Sequence, residues 1–322
     1  MPNVVVLATG GTIASRRGPG GAVVATDDPS ALIRDVRPDV SVEAHEVVRT
    51  GSYRLDFADF RAIADAAHKH LARPDVDGIV ITHGTDTLEE TAVLLDLIHS
   101  DARPVVLTGA QRAADVPDTD GPRNLSDAIA VAANPSAAHH GVLIAFAGTV
   151  LAARGTRKSH TTASAGFTNP AGTVGTVIDG HVDIHATTIR PKALEPVTED
   201  FDTTRVDIVS VYPGGDDVLL RAAVRAGARG VIVVGTGIGN APRGIAEAIR
   251  ELSDDGVVVG LATRVAAGPV QAVYGDGGGT DLVAAGAVPL QLPPSQSRML
   301  LALLLSAGHS PHDVRELLIH HT

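Results

Sequence analysis

Short apolar runs that end in glycine- and threonine-rich turns, each leading into an amphipathic stretch, recur along this chain and restrict it to alternating strands and helices. The clearest is Ile79-Val80-Ile81, which passes into Thr82-His83-Gly84-Thr85-Asp86-Thr87 and then an amphipathic segment from Leu88 to His99. Val4 to Leu7 runs in the same way into Ala8-Thr9-Gly10-Gly11-Thr12-Ile13-Ala14. Val40 to Val48 ends in Arg49-Thr50-Gly51-Ser52-Tyr53, and Val105 to Leu107 leads into Thr108-Gly109-Ala110-Gln111-Arg112. Helical spacing is expected over Asp56–Leu71 and from Asp120 to about Ala133, a short helix over Pro29–Val36 capped by Asp27 or Asp28, and a further strand over Gly141–Ala147. Strands alternating with helices predict a parallel sheet covered on both faces.

The stretch after Leu151, which carries Arg154, Arg157 and Lys158, has no clear period and reads as a loop. Val174–Ile189 alternates like a hairpin with Asp179-Gly180 as its turn. From Arg190 to Thr204 two prolines among charged residues suit a linker. A second series follows, with strands at Val206–Val211, Gly230–Val234 and Val257–Ala262, and helices at Asp216–Ala226, Arg243–Ser253, Ser295–Ser306 and Pro311–Ile319, the last capped by Ser310. The expected class is α/β, with a larger N-terminal parallel-sheet domain (1–189), a linker (190–204) and a smaller C-terminal α/β domain (205–322).

Composition narrows the chemistry. With 44% hydrophobic and 20% charged residues the chain can bury a sizeable core. A formal net charge of -11 argues against nucleic acid or an anionic membrane as a general partner. There are no Cys residues, which removes disulfides and thiolate chemistry together. The amino terminus lacks the charged and apolar regions of a secretory signal, so a cytoplasmic protein is expected. The histidines show no metal-binding spacing; His139-His140 and His320-His321 read as surface residues, and no metal site is expected from them. Gly235-x-Gly237-x-Gly239 follows a strand but lacks the dinucleotide spacing.

What remains is hydroxyl chemistry: Thr12 and Thr85 at strand ends, with Asp86 adjacent and Lys158 in the aperiodic loop. A Thr hydroxyl attacks only once a base takes its proton, and a lysine in a partly desolvated site can do so. Against this stands a structural reading, in which Thr or Asp caps a helix, Glu89 or Glu90 completes a capping box, and Lys158 is solvated. Residues and spacing alone leave the two open.

Thr9-Gly10-Gly11-Thr12-Ile13-Ala14 and Thr82-His83-Gly84-Thr85-Asp86-Thr87 together resemble the paired signatures of the bacterial-type L-asparaginase and glutaminase family. The resemblance extends to Leu107–Arg112, Asp120–Leu125, Lys158 and Gly235–Asn240, in order over nearly the whole chain. It implies an amidohydrolase that converts L-asparagine to L-aspartate and ammonia without metal or cofactor. Thr12 would be the nucleophile that forms an acyl-enzyme, Thr85 and Lys158 the proton-transfer pair, Asp86 the ligand of the substrate ammonium and Ser52 that of its carboxylate. Gly11, Gly51, Tyr53, Gly84 and Ala110 would complete the substrate site, and the oxyanion would rest on backbone N–H groups. A homodimer or homotetramer is implied as well. The chain departs from the family pattern at Tyr53, where Gln is common, and in lacking a Tyr between residues 15 and 28, where the stretch after the nucleophile is expected to act as a lid. No secure match to the neighbouring subunit's acidic residue lies between Val265 and Asp281. Glutaminase, another amidohydrolase, or a catalytically weak amino-acid-binding protein are the alternatives.

Overall fold

The computed structural model describes residues 1–18, 20–21, 23–26, 28–33 and 39–322. They form two compact units, 1–196 and 197–322. In the first, strands follow the apolar runs: β1 (Asn3–Gly10), β2 (Ser15–Arg17), β3 (Val23–Ala25), β4 (Ser41–Thr50), β5 (Gly78–Thr82), β6 (Val105–Thr108), β7 (Val142–Phe146), β8 (Thr149–Ala152), β9 (Arg157–Lys158), β10 (Phe167–Thr168), β11 (Gly175–Ile178) and β12 (His181–Ile184). The helices are α1 (Pro29–Leu32), α2 (Phe57–Leu71), α3 (Leu88–Ile98) and α4 (Gly121–Ala132).

Eight strands make one sheet in the order β12-β11-β8-β7-β6-β5-β1-β4. From β4 to β7 every pair is parallel, and both faces are covered. Val4, Val6, Val80, Val106 and Leu143 point to one face and pack with Leu125, Ala128 and Ile129 of α4; α2 and α3 pack on the strands from the other side. The sheet is mixed, because β8, β11 and β12 add an antiparallel edge. Antiparallel neighbours need only tight turns, and Asp179 (φ 49°) and Gly180 (φ 76°) supply the one expected.

The parallel strands read β4-β1-β5-β6-β7, a doubly wound order that reverses between β1 and β5. Loops leaving the carboxyl ends of those two strands part in opposite directions and open a crevice. Register places Ala8, Thr82 and Thr108 in one row across β1, β5 and β6, so the three following loops emerge side by side. A register slip between Ala8 and Gly10 bends the end of β1.

Several elements add to or differ from the expectations. In the stretch after Thr12, expected to act as a lid, β2 pairs antiparallel with β3. The aperiodic loop holds the end of β8 and then β9, which pairs with β10; such short strands leave no readable period. The helix expected over Pro29–Val36 is helical to Leu32 and capped by Asp28, and Asp27 and residues 34–36 lie outside the described residues. Residues expected to tether two domains are bound down at their start: Arg190 pairs with Asp96 at 2.7 Å and Leu194 N donates to Leu97 O at 2.7 Å.

Asp96 is 3% exposed and also meets Arg154 Nε at 2.8 Å and Val142 N at 3.1 Å. Removing one partner of such a cluster strands buried charge, so Asp96→Ala is expected to lower the unfolding free energy by about 3–5 kcal/mol in chemical denaturation.

The second unit holds β13 (Val206–Ser210), β14 (Gly230–Gly235), β15 (Val258–Thr263) and β16 (Val288–Pro289), a parallel sheet in sequence order. Its helices are α5 (Val218–Arg225), α6 (Ile245–Asp254), α7 (Gly279–Ala284), α8 (Pro294–Ser306) and α9 (Pro311–His321). The Gly235–Asn240 turn closes on itself, Thr236 N donating to Asn240 O at 2.8 Å, and a Cβ at Gly235 would lie 2.9 Å from the Gly239 backbone. Gly235 and Gly239 serve this tight packing, a Cβ at Gly239 lying 2.8 Å from Val270 Cγ1, whereas Gly237 supplies a positive φ of 54°. His321, expected at the surface, is buried.

Candidate active site

At the crevice lies a pocket of about 420 Å³, lined only by residues of the first unit. Backbone contact between glycines brings its loops together. Gly11 (φ 78°) approaches the β5 loop so closely that a Cβ there would lie 2.4 Å from Gly84 N. A Cβ on Gly84 would lie 2.6 Å from Ser52 Oγ, and one on Gly10 2.5 Å from Thr50 O. Only glycine permits these approaches, and at Gly10 and Gly11 only glycine takes the left-handed backbone without strain.

The residues expected from sequence converge here with one exception. Gly11, Thr12, Gly51, Ser52, Tyr53, Gly84, Thr85, Asp86 and Lys158 all line the pocket. Ala110 does not: its side chain is fully buried in the core that packs against α4. Thr12 opens a 3-10 turn directly after Gly11 and is half-buried. Lys158 Nζ donates to Thr85 Oγ1 at 2.9 Å and to Asp86 Oδ1 at 2.7 Å. Thr85 is buried, whereas the Asp86 side chain is 55% exposed and can present its carboxylate to a ligand cation.

The capping reading does not describe this loop. Thr87 is the cap residue of α3, yet no side chain caps the helix there. Thr87 Oγ1 donates instead to Ser52 O at 2.9 Å and ties the Ser52 turn to the Thr85 loop. Glu89 is also engaged elsewhere, its Oε2 accepting from Lys158 N at 2.6 Å. That bond anchors β9 to α3 and holds the lysine over the Thr85 loop.

His83 stiffens the same loop from below. Its Nδ1 lies 2.7 Å from Gly84 O, which can only accept, so Nδ1 carries the proton. Nε2, 2.7 Å from Thr91 Oγ1, then accepts from that hydroxyl. Complete burial depresses the His83 imidazole to about 4, against the small opposing effect of the Gly84 bond. The unfolded chain therefore binds the extra proton first as pH falls below about 6.5, and stability drops from there toward pH 4. A loss of up to about 3 kcal/mol is expected across that window, with a shallower pH dependence for His83→Gln in urea titrations.

Against the overall charge of -11, the pocket wall carries Arg49, Arg54 and Lys158 beside Asp86, the one carboxylate among its described residues, with Glu46 bonded to Arg49 at 2.7 Å. The amino end of α3 adds its positive dipole end to the same region. A zwitterion fits, with its ammonium at Asp86 and its carboxylate toward the cations. Arg49, Arg54, Gln111 and Thr161 also line the pocket. Reading the sequence did not place them at the site; only Gln111 stood in a motif already marked. No group of three or more metal-ligand side chains clusters among the described residues.

Residues 3–190 match the family described as "Asparaginase, N-terminal" and residues 205–318 the "Glutaminase/Asparaginase C-terminal domain". A relative from Deinococcus radiodurans, named "Probable L-asparaginase", is 37% identical over 98% of this chain and 96% of its own length. "L-asparaginase 2" of Bacillus subtilis is 33% identical over 98% of this chain and 85% of its own. The crystal structure of a probable cytoplasmic L-asparaginase from Campylobacter jejuni superposes with a TM-score of 0.88 at 30% identity, covering 100% of both chains.

Proposed function

The chain belongs to the asparaginase family, and from that premise we propose that it is an amidohydrolase that cleaves L-asparagine to L-aspartate and ammonia. The observation that carries the reading is the Lys158–Thr85 contact at 2.9 Å, joined to Asp86 at 2.7 Å, in a pocket that Thr12 shares. Asp86 binds the substrate ammonium by a charge-assisted bond, and Ser52 with the nearby cations receives the carboxylate.

Thr12 Oγ1 attacks the side-chain carboxamide carbon, and its proton passes to Thr85 Oγ1 as the Thr85 proton passes to the uncharged Lys158 amine. Backbone N–H groups of the Thr12 and Thr85 loops carry the oxyanion, a role that ranks among the largest catalytic effects. The C–N bond breaks, ammonia leaves with the relayed proton, and an ester remains on Thr12. Water then attacks the ester carbonyl, the acid is released and the proton returns to Thr12. Ammonia release from asparagine and glutamine by the purified protein tests the reaction, and an aspartyl adduct on the Thr12 peptide after acid quench tests the nucleophile. Turnover of neither amide overturns the reading.

Tyr53 favours a second reading, an amidohydrolase for a different amide. It stands 74% exposed on the pocket wall, at the position where the family commonly has Gln. Relatives such as that of Pseudomonas aeruginosa are named "Glutaminase-asparaginase". Relative kcat/KM across a small amide panel separates the two. We further infer a cytoplasmic homodimer or homotetramer, which light scattering and fractionation test; the Campylobacter protein is named cytoplasmic and a Haemophilus influenzae relative periplasmic. No helix among the described residues is long and apolar enough to cross a membrane.

A further inference from the structure

The motif Leu107–Arg112 and its companion Asp120–Leu125 have no task in the reaction as written above. They meet behind Thr85. Gln111 N donates to Asp120 Oδ1 and Oδ2 at 3.1 and 3.0 Å, and Arg112 N to Oδ1 at 2.9 Å. Asn124 Nδ2 donates to Asp120 Oδ2 at 3.2 Å and to Gly109 O at 2.9 Å. The main chain at Gln111 is thus pinned on one side, leaving its side chain as the part that can turn.

That side chain reaches the reacting pair. Thr85 Oγ1 donates to Gln111 Oε1 across 3.5 Å while accepting from Lys158 Nζ at 2.9 Å. The other end of the amide, Nε2, is buried with no hydrogen-bond partner among the described residues. Gly166 lies against it, and a Cβ there would come within 2.3 Å of Nε2. A primary amide offers an acceptor at one end and a donor at the other, in nearly the same shape. Since Nε2 has no partner to lose, a half-turn of this amide gives up only the long bond to Thr85 and can replace it with one of opposite sense.

We propose that Gln111 is a positioning residue that sets the direction of the proton in the Thr85–Lys158 pair, its amide turning over as that proton moves. The proposal rests on the amidohydrolase reading above. With Lys158 charged, Nζ donates to Thr85 and the Thr85 hydroxyl donates to Gln111 Oε1. When Lys158 releases one proton to solvent, the Thr85 hydrogen swings to the vacated Nζ lone pair and Gln111 Nε2 donates to Thr85 Oγ1. No covalent bond other than N–H changes. In the second arrangement Thr85 is ready to accept the Thr12 proton while passing its own to Lys158.

Steady-state kinetics of the full chain with asparagine test this, using Gln111→Met, which has neither donor nor acceptor, and Gln111→Glu, which at neutral pH can only accept. In Gln111→Met kcat is expected to fall about tenfold with KM within about twofold of wild type, because the amide orients Thr85 and does not hold substrate. In Gln111→Glu the Thr85 hydrogen stays drawn away from Lys158, and the acidic limb of kcat/KM moves to higher pH. The charged groups bonded around the pair are Asp86 on Nζ, Glu89 on the Lys158 backbone and Asp120 behind Gln111, and all three remain in both variants. Gly166→Ala, which crowds the same amide, is expected to lower kcat as well and decides the matter if Gln111→Met fails to fold. An active wild type whose variants keep its kcat and its pH limb overturns the proposal alone, as does a rise in KM at constant kcat. A wild type that hydrolyses no amide overturns the proposed function and this inference with it.

Discussion

Lys158→Met is expected to lower kcat for asparagine about a thousandfold while the protein stays folded. Among the described residues Nζ alone bonds both Thr85 Oγ1 and Asp86 Oδ1, so in the proposed reaction its removal takes the base from Thr85 and breaks the bond to Asp86. The side chain is 17% exposed, and methionine keeps most of its apolar length, so packing is nearly preserved. The main-chain bond from Lys158 N to Glu89 does not depend on the side chain and keeps β9 in place. Retention of kcat within about tenfold, with an unchanged thermal midpoint, would remove Lys158 from the mechanism and leave it a solvated lysine. KM for asparagine is expected to change less than kcat, because in the proposed reaction Asp86 still offers its carboxylate to the substrate ammonium.

Gly11→Ala tests the scaffold, with no functional side chain deleted. Its Cβ would lie 2.4 Å from Gly84 N and 2.6 Å from Gly84 Cα, both backbone atoms of a loop tied down by His83 and Thr87. The left-handed backbone at φ 78° adds strain of its own. Stability is expected to fall by about 1–3 kcal/mol. The Thr12 and Thr85 loops must separate to admit the methyl group, and a displacement of about 1 Å at the reacting groups costs on the order of a hundredfold in rate. A variant that loses stability but keeps kcat would mean that Thr12 and Thr85 need no fixed spacing, contrary to a direct proton relay.

How much of this was legible in advance follows from the range of each interaction. The threonine loops could be read because an apolar run, a glycine pair and a helical period are local patterns. Asp28 and Ser310 cap helices where their spacing put them, since a cap bonds to a backbone N–H two or three residues away. At Thr85 to Thr87 the same pattern misleads, because Thr87 turns to Ser52, 35 residues distant, and Glu89 to Lys158, 69 residues distant. Nothing within a turn of helix signals such partners. The resemblance to known signatures, more than periodicity, singled out Lys158 from a stretch with no readable element.

The sequence by itself determined the class of fold, the order of its longer strands and helices along the chain, and the residue types available for chemistry, because these depend on contacts within a few residues. The order of strands in the sheet was decided only in three dimensions. Placing β1 between β4 and β5 creates the reversal that opens the crevice, brings Gly11 against Gly84, and sets the Thr12 loop beside Thr85. Tertiary packing also withdrew Ala110 into the core and put Gln111 against Thr85, though the two are adjacent in the chain. Which neighbour faces the pocket depends on how the loop after β6 is pinned by Asp120 and Asn124 from α4 and its start. The physical reason is that strand pairing and loop anchoring are non-local: their partners lie tens of residues apart, and no local pattern names them.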